Sequence, residues 1–228
     1  MPSPKRKWLV VRLSGPMISF GQPGRSNRPT YEFATKSMFV GFVANAMGSE
    51  RHDREIIAEI SSLDVTSFRL RLAGVMEDYN TVGCGYKDKS SMPLTFDGGR
   101  KQMVTRRHYL EDADFILVAE GEEELVERCA TALDEPARPL FLGRKGCLPV
   151  LPPVQGVFSS EDDAMECVMS CARIVADEDC RGLEAGIPFV RDCLPSEAND
   201  VVLDHPVVFG QAFGGHKRRF VEHGILAV

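Results

Sequence analysis

Several absences narrow the field before any motif is considered. No apolar run approaches the roughly 20 residues that a transmembrane helix needs, so no membrane span is expected. Near the start, the apolar stretch Trp8 to Val11 is cut short by Arg12, too early for the core of a secretory signal. The cysteines number seven and follow no framework spacing. An odd, scattered set suits a reducing compartment better than a disulfide scaffold, and a cytoplasmic protein is expected. Cys167 and Cys171 share an expected helix, with Cys180 and Cys193 beyond. The short paired spacings of structural zinc sites are missing, so these are expected to be core thiols, and neither a metal nor a cofactor is expected. The phosphate-loop pattern Gly-x4-Gly-Lys-Ser/Thr, a dinucleotide fingerprint, paired catalytic carboxylates and a Ser-His-Asp order are also missing. No internal repeat is present.

What is there describes an ordinary globular chain. Of 228 residues, 43% are hydrophobic, enough for one large domain or a domain with an appendage. The net charge of −6 argues at first against a nucleic-acid partner, but the charge is unevenly spread. Residues 1–110 carry 17 Lys and Arg against 10 Asp and Glu, a balance of +7; residues 111–228 carry 10 against 23, a balance of −13. A basic half joined to an acidic half is compatible with one face meeting phosphate, and equally with plain solvated surface.

Hydrophobic periodicity outlines the elements. Trp8 to Leu13 is a strand that ends in the turn Ser14-Gly15-Pro16-Met17. A loop containing Arg25 and Arg28 follows. Thr35 is a candidate N-cap for a helix whose stripe is Phe39, Phe42, Val43, Ala46 and Met47, with Gly48 as its stop. A shorter helix is expected within Arg51 to Leu63. Val65 to Leu72 reads as a strand with Phe68, Leu70 and Leu72 on one side and Arg69 and Arg71 on the other. From Met76 to Arg107 the apolar pattern dissolves into a segment with four glycines and six Lys and Arg. A stretch of that kind inside a compact domain is a projecting hairpin or loop. Phe115 to Val118 is a buried strand, Glu122 to Leu133 an amphipathic helix with Leu125, Cys129, Ala132 and Leu133 inward, Gly156 to Phe158 a strand, and Asp163 to Ala176 a helix. Short strands and turns make up the rest. The order of strand, helix, strand, projection, strand, helix, strand is the βαββαβ plan of a ferredoxin-like, RRM-like α+β fold. Such a fold does not by itself supply a function.

Four places can carry chemistry. At Thr35-Lys36-Ser37 a helix begins after a loop bearing Arg28; free N–H groups, a positive dipole end, a lysine and two hydroxyls can hold phosphate, or simply cap the helix. Thr105-Arg106-Arg107-His108-Tyr109-Leu110 joins charge to stacking surface, which suits a nucleic-acid backbone with unstacked bases, or an edge strand with solvated arginines. His108 stands without an identifiable catalytic partner. In Leu142-Gly143-Arg144-Lys145-Gly146-Cys147 two glycines flank a basic pair, which lets backbone approach a ligand closely or makes a plain turn. His216-Lys217-Arg218-Arg219 is a short basic run near the end.

Five segments, taken in order, resemble one known family. Leu13-Ser14-Gly15-Pro16-Met17-Ile18-Ser19-Phe20-Gly21 is similar to its opening Leu-x-Gly-Pro-Met-x-x-Trp-Gly. Arg28-Pro29-Thr30 with Thr35-Lys36-Ser37 resembles its arginine-threonine and helix-start motif. Asp78-Tyr79-Asn80-Thr81-Val82 resembles Asp-Tyr/Phe-His-Thr-Val. Arg107-His108-Tyr109-Leu110-Glu111-Asp112-Ala113-Asp114-Phe115 resembles Arg-x-Tyr-Leu-x-Asp-Ala-x-Phe. Pro139 to Cys147 resembles Pro-x-Tyr-Leu-Gly-Arg-Lys/Arg-Ser-Cys. The family is CasD, a subunit of type I-E CRISPR Cascade complexes, and the resemblance covers about residues 8–158. Phe20 stands where the family has tryptophan, Ala34 where proline is common and Asn80 where histidine is common.

The resemblance implies a ferredoxin-like palm at residues 1–75 and 108–228, including a C-terminal extension, with a thumb hairpin inserted at 76–107. It implies a non-catalytic subunit that binds the 5′ handle of the CRISPR RNA in antiviral defence. The thumb would contact a backbone subunit, the large subunit would dock nearby, and target DNA would be met only indirectly. Arg28, Lys36, Arg106, Arg107, Arg144 and Lys145 would contact phosphates, with Thr35 and Ser37 at the helix start. Tyr79 and Tyr109 would stack on handle bases, and Gly15 and Gly143 would permit close approach. The alternative is a metal-independent endoribonuclease that cuts repeat RNA, with His108 as the candidate group.

Overall fold

The computed structural model of the chain describes residues 5–21, 27–50, 53–82, 103–179, 186–203 and 218–227. Its centre is an antiparallel sheet. Strand β1 (Arg6–Ile18) lies between β7 (Val154–Phe158) and β6 (Met103–Glu122), and β5 (Asp64–Val82) pairs with the other edge of β6. Beyond β5 the sheet continues through β8 (Ile187–Asp192), β10 (Arg218–Leu226) and β9 (Asp200–Leu203). Three short strands, β2 (Phe20–Gly21), β3 (Asn27–Arg28) and β4 (Thr30–Tyr31), follow β1. Of these, β3 pairs with β6 in parallel, and β2 pairs with β4.

Both faces of the sheet are covered, and the period-two alternation of strand side chains explains how β1 serves both. Leu9, Val11 and Leu13 point into one core and Val10 into the other, all fully buried. The first core is roofed by α1 (Lys36–Ala46) and α3 (Glu123–Asp134), through Phe39, Val43, Val126, Cys129 and Leu133. The second is roofed by α4 (Glu161–Glu178), through Ala164, Val168, Ala172 and Val175. Helix α1 starts where Thr35 Oγ1 accepts a hydrogen bond from Met38 N at 3.3 Å, and leaves through Gly48, whose φ is +73°. Helix α2 (Arg54–Ser61) falls within the expected span, and Asp53 caps it by accepting from Ile56 N at 3.2 Å. On the second face Arg12 and Asp114 form a buried two-pronged ion pair, with Nε–Oδ1 at 3.0 Å and Nη2–Oδ2 at 2.7 Å. The Asp114 hydrogen bonds push the Arg12 guanidinium above its ordinary value, against the cost of burial.

The turn expected at Ser14-Gly15-Pro16-Met17 is instead continuous strand in β1, paired with β6 as far as Ile18. Two further sequence expectations are corrected. The strands expected at Val65–Leu72 and Phe115–Val118 are pieces of a single long hairpin, paired continuously from Asp64↔Glu120 to Val82↔Met103. Backbone hydrogen bonds carry this ladder through a region where the apolar pattern gives no sign of it. The connecting residues 83–102 of the expected projection lie outside the described residues, as do His216 and Lys217.

The second correction concerns faces. Register shifts between Arg69 and Arg71, which leaves Leu70 as the extra residue of a bulge. One inserted residue turns everything beyond it to the opposite side. Phe68 and Leu70 therefore pack into the second core, whereas Leu72 packs against the first. Arg69 pairs with Glu32 before α1 at 2.9 Å, while Arg71 pairs with Asp179 at the end of α4 at 3.1 Å. The three apolar residues do not share a side, and neither do the two arginines.

Candidate nucleic-acid interface

At the far end of β1 the chain builds an arginine-rich face from three separate segments. Parallel pairing of β3 with β6 sets Arg28 directly beside Arg107. The loop at 141–147 lays Arg144, 116 residues beyond Arg28 in the sequence, across them. Its Nη2 donates to the Arg28 carbonyl at 3.2 Å, and its guanidinium stacks 4.3 Å from the Tyr109 ring centre. Arg28, Arg107, Tyr109 and Arg144 are thus brought together.

Two of these arginines differ from most of the other described arginines. Arg6, Arg12, Arg69, Arg71, Arg128, Arg138, Arg173 and Arg191 each hold a carboxylate within ion-pair distance. Among the described residues, Arg107 and Arg144 hold none. Arg107 Nε and Arg144 Nη1 are buried atoms that make no hydrogen bond. Unmade hydrogen bonds on buried charged donors cost free energy, and an anionic acceptor on this face would recover them.

The loop is fixed by its own geometry. Ser19 N donates to the Leu142 carbonyl at 3.2 Å, and Cys147 N closes the turn onto the Arg144 carbonyl at 2.8 Å. Gly143 sits at φ +84°, and a Cβ there would stand 2.9 Å from the Ser19 carbonyl carbon and closer still to its oxygen. Only glycine fits. Gly15 has a related role: a Cβ would come 3.1 Å from the Leu148 carbonyl oxygen and 3.2 Å from Leu142 Cδ1. Its bare backbone lets the same loop seat on β1. Burial pushes the Cys147 thiol up, against the pull of neighbouring Arg144.

The remaining candidates fall in three places. Side chains alternate along the hairpin, so Arg106 and His108 face away from Arg107 and Tyr109. On that opposite face Arg106 lies 5.6 Å from the Tyr79 ring centre, and His108 Nε2 is 3.3 Å from Glu77 Oε2. Thr35, Ser37, Gly143 and Lys145 line a cleft of about 560 Å³ between the start of α1 and the 141–145 loop. Lys36 points elsewhere, toward Asp192 at 3.8 Å, in a second cavity on the β8 side of the helix start. Sequence reasoning missed Arg138, which lines the cleft and donates to the Ser49 carbonyl at 2.8 Å; a lone arginine between two prolines carries no signal. It also missed the second cavity, whose walls come from segments more than a hundred residues apart.

The model of a family described as CRISPR-associated protein (Cas_Cas5) matches residues 8–181. This chain belongs to the Cas5 family. The matched span runs from β1 through α4, contains the whole arginine-rich face, and stops short of β8, β9 and β10. The Cas5 chain is 27% identical over 156 residues to the CRISPR system Cascade subunit CasD of Escherichia coli (strain K12), covering 62% of this chain and 67% of that protein. It superposes on a solved chain described as a CRISPR RNA-guided surveillance complex with a TM-score of 0.73 at 23% identity, over 97% of this chain and 90% of that one. A second solved structure, described as a Cas protein, gives 0.63 at 23% identity, over 96% and 95%. These likenesses establish for the Cas5 chain a shared mixed α/β fold with a large antiparallel sheet and few helices. Among the described residues, no helix is long and apolar enough to cross a membrane, and no cluster of metal-ligating side chains forms.

Proposed function

We propose that this Cas5 chain is a non-catalytic subunit of a type I-E Cascade complex that holds the 5′ handle of the guide RNA. The observation that carries the reading is the pair Arg107 and Arg144, charged, without carboxylates among the described residues, and facing the same way as Arg28 and Tyr109. Arg28, Arg107 and Arg144 engage phosphates, and Tyr109 offers its ring to an unstacked base. The neighbouring cleft extends the path, with Lys145 as a cation and Thr35 and Ser37 as hydroxyls at a helix start that favours anions. Gly15 and Gly143 act by seating the loop that carries Arg144. In such assemblies sequence is selected by base pairing while protein grips backbone and shape, so target DNA is met through the guide.

The strand order β7-β1-β6-β5, with α1 and α3 on one face, supports the ferredoxin-like palm. The distal hairpin beyond about residue 75 is the thumb that a backbone subunit grips, and its outer face presents Tyr79 and Arg106. The large subunit docks beside the palm, and the complex works in the cytoplasm in antiviral defence. A binding role is favoured over RNA cutting because His108 is turned away from Arg107 and Tyr109 and toward Glu77.

Guide-RNA binding measured across a salt series tests the proposal. Each lost phosphate contact to a single strand lowers the slope of log K against log salt by about 0.7. Arg107→Ala with Arg144→Ala is expected to lower it by about 1.4, whereas Arg173→Ala, whose arginine is held by Glu166 on α4, leaves it unchanged. An unaltered slope in the double variant would refute the site.

A further inference from the structure

The second cavity is a site that the arginine-rich face does not use. It measures about 340 Å³, at the lower end of small-ligand pockets. Its floor is one row across three paired strands: Ser67 on β5, Val190 on β8 and His223 on β10. Its roof is the segment leading into α1, where the Phe33 ring meets His223 edge-on at 5.6 Å and lies under the Arg69 guanidinium at 4.8 Å. Ser67 is 2% exposed, and its Oγ makes no hydrogen bond. A buried hydroxyl with an open hydrogen-bonding position at the bottom of a cavity favours an occupant that can pair with it.

The charges at the rim decide what that partner is. Lys36 faces Asp192 at 3.8 Å, Arg69 faces Glu32 at 2.9 Å, and His223 faces Asp200 at 3.2 Å. Arg191, also on the lining, faces Glu222 at 2.8 Å. Each lysine and arginine there has its carboxylate, so an entering phosphate would gain little and would meet Glu32, Asp192 and Asp200. A flat, uncharged ring with its own donors and acceptors fits the aromatic roof, the apolar walls and the buried Ser67 hydroxyl, with the Tyr31 and Thr35 hydroxyls also on the lining. Thr35 lines both this cavity and the larger cleft on the other side of the helix start.

We infer that this cavity takes one unstacked nucleobase of the bound RNA, with Ser67 as the polar contact that reads its edge. The inference rests on the RNA-binding reading above and deepens it. The backbone runs through the cleft past Thr35, and one base turns in beneath Phe33. The chain then holds RNA by charge at one place and selects a base at another.

The test titrates the full chain with guide RNAs in which one abasic nucleotide is moved through the handle. One position is expected to cost about tenfold or more in affinity. Val190→Trp, which fills the cavity, should abolish that penalty, and Ser67→Ala should change which base is preferred there; the salt slope should stay as in the wild type for both. Should Val190→Trp unfold the chain, Ser67→Ala decides alone. An abasic scan without any sensitive position, while Arg107→Ala still lowers the salt slope, overturns the pocket and leaves the RNA reading standing. A slope indifferent to Arg107 sinks the RNA reading itself. If Val190→Trp keeps the wild-type scan but loses co-purifying Cascade subunits, the cavity holds a protein side chain and the inference is wrong.

Discussion

Gly143→Ala should uncouple RNA affinity from global stability. The new residue must adopt φ +84°, which costs an L side chain about 1–2 kcal/mol. It must also clear the Ser19 carbonyl, which the Cβ would overlap, so the turn has to move by an ångström or more. That movement breaks the Ser19 N to Leu142 O bond of 3.2 Å, a further loss of about 1 kcal/mol. Together these give about 2–3 kcal/mol, below the roughly 5–15 kcal/mol that holds a whole domain. The core should survive while the turn lifts. Arg144 is the next residue, and its stack on Tyr109 and its bond to the Arg28 carbonyl cannot tolerate the shift. RNA affinity is expected to fall by about tenfold, with the salt slope lower by about 0.7 to 1.4 as Arg144 and Lys145 disengage. Gly146→Ala is the control in the same turn, since a Cβ there meets nothing within 4 Å. Salt-dependent binding and urea unfolding of both variants read the outcome. Wild-type RNA affinity in Gly143→Ala, or equal losses in the two variants, would refute the reasoning.

Asp114→Ala strands the buried Arg12 guanidinium without its counter-charge, and urea unfolding should show a loss of about 3–5 kcal/mol. Removing Glu59 from its exposed pair with Arg128 should cost no more than about 1 kcal/mol. Burial pushes the Cys129 thiol up from 9.0 to about 12, so it should resist alkylation at pH 8, where its thiolate fraction is on the order of 10⁻⁴. The same shift makes the folded state prefer the protonated thiol. Its stabilising contribution is complete below about pH 9 and is lost as pH rises toward 12. Alkaline unfolding of Cys129→Ala should therefore lose that part of the pH dependence.

Much of the body is legible in the sequence because burial writes a period into it. Thr35 as a cap, the Phe39 to Ala46 stripe, Gly48 as an exit and the Leu125-Cys129-Leu133 face of α3 were all readable for that reason. A projecting hairpin was readable from the loss of the apolar pattern, but its continuity with the core strands was not, because backbone pairing between Met76 and Tyr109 or Tyr79 and Arg106 requires no apolar alternation. The bulge at Leu70 was hidden too, since an extra residue in a ladder leaves the local composition unchanged. For the candidate site, residue types were visible but their sides were not. Neighbours in sequence, such as Arg106 and Arg107 or Thr35 and Lys36, point in different directions, while Arg28 and Arg144 meet across more than a hundred residues of chain. The cavity under Phe33 needed strands β8 and β10, whose pairing partners no local pattern named.

The long ribbon of β5 and β6 has a mechanical consequence. Both strands pass without interruption from the packed interior to Val82 and Met103, a reach of roughly 33 Å beyond Leu72 at strand rise. A neighbour that clasps the distal end therefore sets the angle of the entire sheet, and with it the direction in which the arginines beside β3 present themselves.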